Sequence, residues 1–293
     1  MKYQELDGTL QEKECFQDKF LRKLYTTIQG RMAIKILIQP AVSKMCGRLL
    51  NSRISALMIP AFIRKNEIDM SLYEEKRYGS YNEFFIRKIK EGKRTFDENE
   101  EVLVSPCDGK VSAYRLDETS SFMVKGSVYS VDQLLKSSSL AKRFLGGCAV
   151  VIRLSVEDYH HYCYPASGYK SRNYYIPGKF HTVNPIAVET VPVYKENTRE
   201  YCLLKTRQFG TILQMEVGAL LVGKICNDRE SAKVRKGEEK GHFEFGGSTI
   251  ILLIQKEKIK LREEFFLNTE RGIETKVQMG QKLGKVFKRK DGK

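Results

Sequence analysis

The sequence predicts an α+β protein in which N-terminal amphipathic helices lie on a β-rich, sandwich-like core. Three observations carry this prediction. Between Lys19 and Lys65 apolar residues recur at three- and four-residue steps, the period of a helix face. From Val102 onward the chain breaks into short apolar or alternating runs punctuated by Gly, Pro, Asn and Asp, the texture of strands and turns. A chain of 293 residues with 41% hydrophobic content buries a sizeable core. The change of texture divides the chain into a helical segment, 1–70, and a β-rich core, 71–293.

The N-terminus "MKYQELDGTLQEKECF" carries acidic residues where a signal peptide has a basic flank and an apolar run, so no cleaved leader and no secretion are expected. The helical segment that follows is strongly basic. From Lys19 to Lys65 it has ten Lys and Arg (19, 22, 23, 31, 35, 44, 48, 53, 64 and 65) and no Asp or Glu, so it supplies +10 of the chain's formal +15. Those charges interleave with Leu21, Leu24, Ile28, Met32, Ile36, Leu37, Leu49, Leu50, Ile54, Leu57 and Met58. Three readings fit such a segment: helices lying on an anionic membrane surface, a solvated face, or a nucleic-acid surface. The last lacks any recognition motif or basic–aromatic alternation. Apolar stretches such as "SALMIPAFI" are far too short to span a bilayer, so no transmembrane segment is expected.

In "SYNEFFIRKIK" Ser80 and Glu83 have capping-box spacing and start a helix. The runs "VLVSP", "GKVSAYRL", "CAVVIRLS", "YCLLKT", "TILQMEVGALLVGKI" and "TIILLIQ" read as strands. A helix with Ser130 at its N-cap interrupts them in "YSVDQLLKSSSLAKRFL". The seven cysteines are scattered without a C-x-x-C pair and read as reduced thiols. Only Cys163 lies near histidines, so no metal site is expected.

The chemistry concentrates in "GHFEFGGSTIILLIQ", where two glycines precede Ser248 at the mouth of an apolar strand. One reading is a β-bulge or tight turn. The other is reactive: a serine hydroxyl can attack the carbonyl of the residue before it, and a glycine there removes the Cβ that would block both turn and approach. The resulting ester eliminates to dehydroalanine and hydrolyses, losing ammonia, to a pyruvoyl group, a ketone able to act as an electron sink. Such a reaction needs a base and a group to orient it. The chain offers His160, His161, His181 and His242, and a turn carboxylate, Asp108 in "SPCDGKV". Taken singly, each also reads as an ordinary turn or core residue.

Taken together, "NEFFIRKIKEGKR", "LVSPCDGKV", "VKGSVYSVDQLL", "VIRLSVEDYHHYCYPASG", "IPGKFHTVNPIA", "VGALLVGKI" and "KGHFEFGGSTIILL" resemble, in order and over roughly residues 70 to 290, the phosphatidylserine decarboxylases. The resemblance implies self-cleavage between Gly247 and Ser248 into a β chain, 1–247, and an α chain, 248–293. Ser248 would become a covalent pyruvoyl cofactor that forms a Schiff base with the substrate amine, with no metal and no pyridoxal phosphate. Asp108 matches the family's charge-relay aspartate and His160 the histidine of its D-Y-H motif. Many members carry a second histidine three positions later, where this chain has Cys163; the cleavage base is therefore His160, His161 or Cys163, and His160 is the choice made here. His181 and Asn184 fall in a loop that the family places near the substrate. The resemblance further implies phosphatidylserine in an anionic membrane as partner, a homodimer, no nucleic acid, and a peripheral position on the cytoplasmic face. Two alternatives stay open: the same chemistry on another amino-acid headgroup lipid, or a non-catalytic membrane-binding β protein.

Overall fold

The computed structural model describes the chain except residues 1, 13–15, 118–120, 125–126, 189–190, 220–223, 247 and 289–293. Its centre is an 11-stranded sheet. The strand Ser248–Ile254 sits in the middle, antiparallel to Thr211–Val217 on one side and to Cys148–Leu154 on the other. All seven of its residues are buried, which accounts for its unbroken β-branched and leucine content. Beyond Cys148–Leu154 the sheet continues through Gly109–Arg115 and Glu274–Val277 to the N-terminal strands Lys2–Gln4 and Leu10–Glu12. The N-terminal strand pairs in parallel with Glu274–Val277. On the other flank lie Arg199–Lys205, Gly168–Lys170 and Ala232–Val234, with Tyr174–Ile176 also paired to Arg199–Lys205.

A two-stranded sheet of Ser121–Val124 with Ser127–Ser130, and two three-stranded sheets, accompany the central sheet in the β core that the sequence texture predicts. One comprises Ile225–Asn227, Glu239–Phe243 and His161–Cys163; the other comprises Ile259–Leu261, Lys282–Val286 and Val102–Val104.

The basic segment forms the helices Phe16–Thr26, Ile28–Leu37, Pro40–Leu50 and Ile59–Asn66, with a 3-10 turn at Arg53–Met58. Leu24, Tyr25, Ile34 and Ile38 face inward and join the same apolar core as the central sheet. A second set points out: Ile28, Met32 and Ile36, at i, i+4 and i+8, are exposed, as are Leu49, Ile54 (76%) and Leu57 (80%). The periodicity therefore belongs to two faces, one in the core and one bare.

Two helices end sooner than their sequences suggest. Ser80 accepts from the Glu83 amide as a cap should, yet the helix is only Tyr81–Phe85. The Ser130 helix stops at Leu135, with Lys136 left-handed (φ 49°), because the serine run offers a second cap: Ser137 accepts from the Leu140 amide to start Ser138–Ala141.

Below the central sheet Lys240 Nζ lies 2.7 Å from Glu216 Oε2, both side chains wholly buried. Replacing one partner strands a charge at a cost of about 3–5 kcal/mol, whereas replacing both with apolar residues does not. Lys240→Met is expected to lower the melting temperature by several degrees, and Lys240→Met with Glu216→Leu to restore most of it, as read by differential scanning calorimetry.

Candidate functional site

The site begins where the central strand begins. Ser248 is wholly buried, and its Oγ has no hydrogen-bond partner among the described residues; the same is true of Thr249 Oγ1 and of His160 Nε2. Buried polar atoms without partners are rare and costly. Three of them lie on adjoining segments at this end of the sheet.

The segments adjoin for definable reasons. Ser248 is the cross-strand partner of Leu154, the last residue of its strand, after which the chain turns towards His160. The turn is pinned from several directions. Asp158 Oδ2 accepts from the Ser155 amide at 2.7 Å, while Lys110 Nζ and Arg153 Nη1 both donate to Ser155 Oγ, at 3.0 and 3.1 Å. Arg87, buried against the faces of Tyr73 and Phe84, donates to the Glu157 carbonyl at 3.2 Å. The His160 carbonyl accepts from the Phe243 amide at 3.0 Å, which fastens it to the strand leading into the serine.

His160 has a defined tautomer. Its Nδ1 lies 2.9 Å from the Asp158 carbonyl, which only accepts, so Nδ1 carries the proton and Nε2 presents a bare lone pair. Burial pushes its pKa down to about 3, against the pull of Asp158, so the ring is neutral at physiological pH. The Phe85 ring covers it at a centroid distance of 4.0 Å and also contacts Phe245 at 5.1 Å, and His160 is fully buried. An acceptor without a donor and a hydroxyl without an acceptor thus occupy the same dry end of the sheet.

The approach to Ser248 has its own constraint. Gly246 has φ 129°, which a residue with a Cβ rarely adopts, and Phe245 is held by its amide to Asn82 Oδ1 at 3.0 Å. Gly247, the expected cleavage residue, lies outside the described residues.

The remaining candidates sit nearby with partners of their own. Asp108 is buried in its turn, accepting from Arg94 at 2.6 Å and from the Met279 amide at 2.8 Å; none of the four histidines bonds to it among the described residues. Burial raises its pKa and Arg94 opposes the rise. Gly109 must follow it, since a Cβ there would stand 2.7 Å from the Arg153 carbonyl.

Cys163 donates its amide to Pro106 in the same turn at 2.8 Å, and desolvation pushes its fully buried thiol well above the usual range. His181 is tied to Tyr25 (3.3 Å) and Glu196 (3.4 Å), and Asn184 Oδ1 accepts from the Ile186 amide. Asn197 connects that loop to the site, donating to the carbonyls of His181 and Gly218, the latter next to the strand partner of Thr249. His242 lies on the strand Glu239–Phe243 opposite His161. Thr249, Asp158, Phe85, Arg87 and Arg94 were not singled out by the sequence. Of these, only Asp158 and Thr249 lie beside a residue that was.

Comparison with known proteins gives one family. The family model for phosphatidylserine decarboxylase matches residues 81–285. Among curated relatives, "phosphatidylserine decarboxylase proenzyme 2" of Clostridium acetobutylicum is 45% identical over 268 residues, 91% of each chain. The phosphatidylserine decarboxylase proenzymes of Fusobacterium nucleatum and Ruminiclostridium cellulolyticum are 37% and 38% identical, covering 94% and 91% of each chain respectively.

The His160 environment has a consequence for acid stability. Its native pKa, about 3, lies below the ordinary 6.5, so between those values the unfolded chain binds a proton that the native chain refuses. Stability therefore falls as pH drops through that window. Melting temperature measured from pH 7 to pH 4 is expected to fall less steeply in His160→Gln than in the parent chain; equal slopes would mean that His160 is not held neutral.

Proposed function

This chain belongs to the phosphatidylserine decarboxylase family, and on that premise we propose that it is made as a proenzyme that cuts its own backbone between Gly247 and Ser248. Its reaction is the decarboxylation of phosphatidylserine, yielding phosphatidylethanolamine and carbon dioxide in phospholipid biosynthesis. The single observation that best supports self-cleavage is the complementary pair of buried, unpartnered atoms, Ser248 Oγ and His160 Nε2.

In this reading the His160 lone pair takes the Ser248 hydroxyl proton as Oγ attacks the Gly247 carbonyl. The peptide bond becomes an ester, elimination expels the Gly247 carboxylate and leaves dehydroalanine at residue 248, and hydrolysis releases ammonia. Burial keeps the His160 ring neutral, so its Nε2 lone pair is free to take the hydroxyl proton at physiological pH.

The Asp158 carbonyl fixes the His160 tautomer. We assign Asp108, held by Arg94, to orienting the turn that meets Cys163. The deeply buried thiol of Cys163 favours His160 over it as the cleavage base. His181 and Asn184 border the substrate path in this proposal.

The residues present fit a pyruvoyl group derived from Ser248: the position is dry, and the neutral His160 ring leaves an acceptor for a substrate proton. The pyruvoyl ketone supplies an electron sink for the pair left when the carboxylate departs. After the cut, 1–247 and 248–293 stay together because Ser248–Ile254 is hydrogen-bonded along both edges.

Within the segment 1–70 the strands Lys2–Gln4 and Leu10–Glu12 belong to the central sheet, and the helices from Phe16 to Asn66 are proposed as the membrane-associating part, resting on the cytoplasmic face of an anionic bilayer. Ile28, Met32, Ile36, Ile54 and Leu57 are exposed beside Arg31, Lys35, Arg48 and Arg53. No helix among the described residues is long and apolar enough to cross a membrane.

An intact-mass spectrum tests the cut directly. The expected α chain has 46 residues (293 minus 247) and is lighter by one ammonia than the serine-started peptide. Ser248→Ala is expected to remain one chain without decarboxylase activity; cleavage persisting there would sink the mechanism. Loss of cleavage in Cys163→Ala but not in His160→Ala would move the base to the thiol.

A further inference from the structure

The second sheet carries a cluster that the proposed reaction does not use. His161 and His242 are direct cross-strand partners, with ring centroids 5.1 Å apart. Simple alternation would put Glu239, three residues before His242, on the opposite face of its strand. The bulge between Glu239 and Gly241 turns it back, so that Glu239 Oε1 reaches His161 Nδ1 at 2.7 Å while Lys240 goes to the buried Glu216. One donor atom from each of His161, Glu239 and His242 thus lies within 4.8 Å of the others.

The hydrogen bonding at His161 calls for a cation. Its Nε2 faces the Ile86 carbonyl at 2.9 Å and its Nδ1 faces a carboxylate oxygen. Both neighbours accept and neither donates. A neutral imidazole would set a lone pair against one of them, so a positive species belongs between Nδ1 and Glu239. A proton can fill that place, and so can a metal ion.

We propose that His161 Nδ1, Glu239 and His242 form a binding site for a divalent transition ion of the zinc class. Two imidazoles and a carboxylate are a donor set such ions favour. The Nε2–H bond from His161 to a backbone carbonyl is the outer contact by which ligating histidines are oriented. Glu239 is 42% exposed on its side chain and His242 half-buried, so the ion can enter from solvent and keep water in its open positions. Once bound, it clamps Glu239–Phe243 to His161–Cys163. The clamped strand runs directly through Glu244, Phe245 and Gly246 to Ser248, so the ion braces the segment that delivers the serine.

The test uses the full-length, tag-free chain, stripped with chelator and titrated with zinc chloride by calorimetry, with bound metal counted after dialysis. One zinc per chain is expected, lost in both His242→Gln and Glu239→Gln and kept in Cys226→Ser, the thiol paired opposite His242 on the third strand. Both substituted side chains are at least partly exposed, and circular dichroism checks that the variants fold. Absence of saturable zinc, retention of it by both variants, or its loss only in Cys226→Ser would overturn the proposal.

Discussion

Six residue pairs on one edge and seven on the other tie Ser248–Ile254 into the middle of the central sheet, with every side chain out of water. A strand so placed has little freedom in register: a slip of one residue would turn Ser248 to the opposite face of the sheet. That rigidity positions Ser248 against Leu154, and through the pinned turn after Leu154 it also positions His160. A loop-borne serine would have found water, and its hydroxyl would have been solvated.

Dryness gives the site its character. Several buried polar groups of this core are paired: Arg153 with Glu274 through two bonds, Lys240 with Glu216, Asn197 with two carbonyls. Those pairs hold the fold at little net gain, since each pays back its own desolvation. At the head of the central strand the hydroxyls of Ser248 and Thr249 and the His160 ring nitrogen have no partner among the described residues. Each unmade bond costs about 1–3 kcal/mol. The surrounding aromatic residues Phe85 and Phe245, and the braces from Arg87 and Asn82, maintain that costly arrangement.

Much of this was legible in the sequence. The glycine pair before Ser248 marked a bend, and Gly246 has the positive φ that explains the first of the two. The apolar runs gave the strands, because a strand buried on both faces needs continuous apolar residues. Less legible were features that depend on partners far along the chain. Arg94 holding Asp108, Glu239 meeting His161 across a bulge, and Asn82 catching Phe245 leave no local spacing to read. The helical stripe of the first segment was visible as a period, yet a period cannot say that Ile34 faces the core while Ile36 faces out. The short helices at Tyr81 and Val131 ended early because competing caps and tertiary packing override propensity.

The residues after Ser248 contribute to three separate places: the middle of the large sheet, the small sheet with Val102–Val104, and the parallel pairing of Glu274–Val277 with the N-terminal strand. The short C-terminal piece is therefore woven through the long one. Uncut, the chain keeps these partners at high effective concentration, and closing each loop carries only the modest entropy of a tethered search. Cut, the same arrangement would have to be assembled from two independent molecules, one of them too small to hold a structure alone. With the proposed cut, folding becomes a historical event: the mature architecture would record a connectivity that no longer exists, and denaturation would erase instructions which the two separated pieces could not supply again.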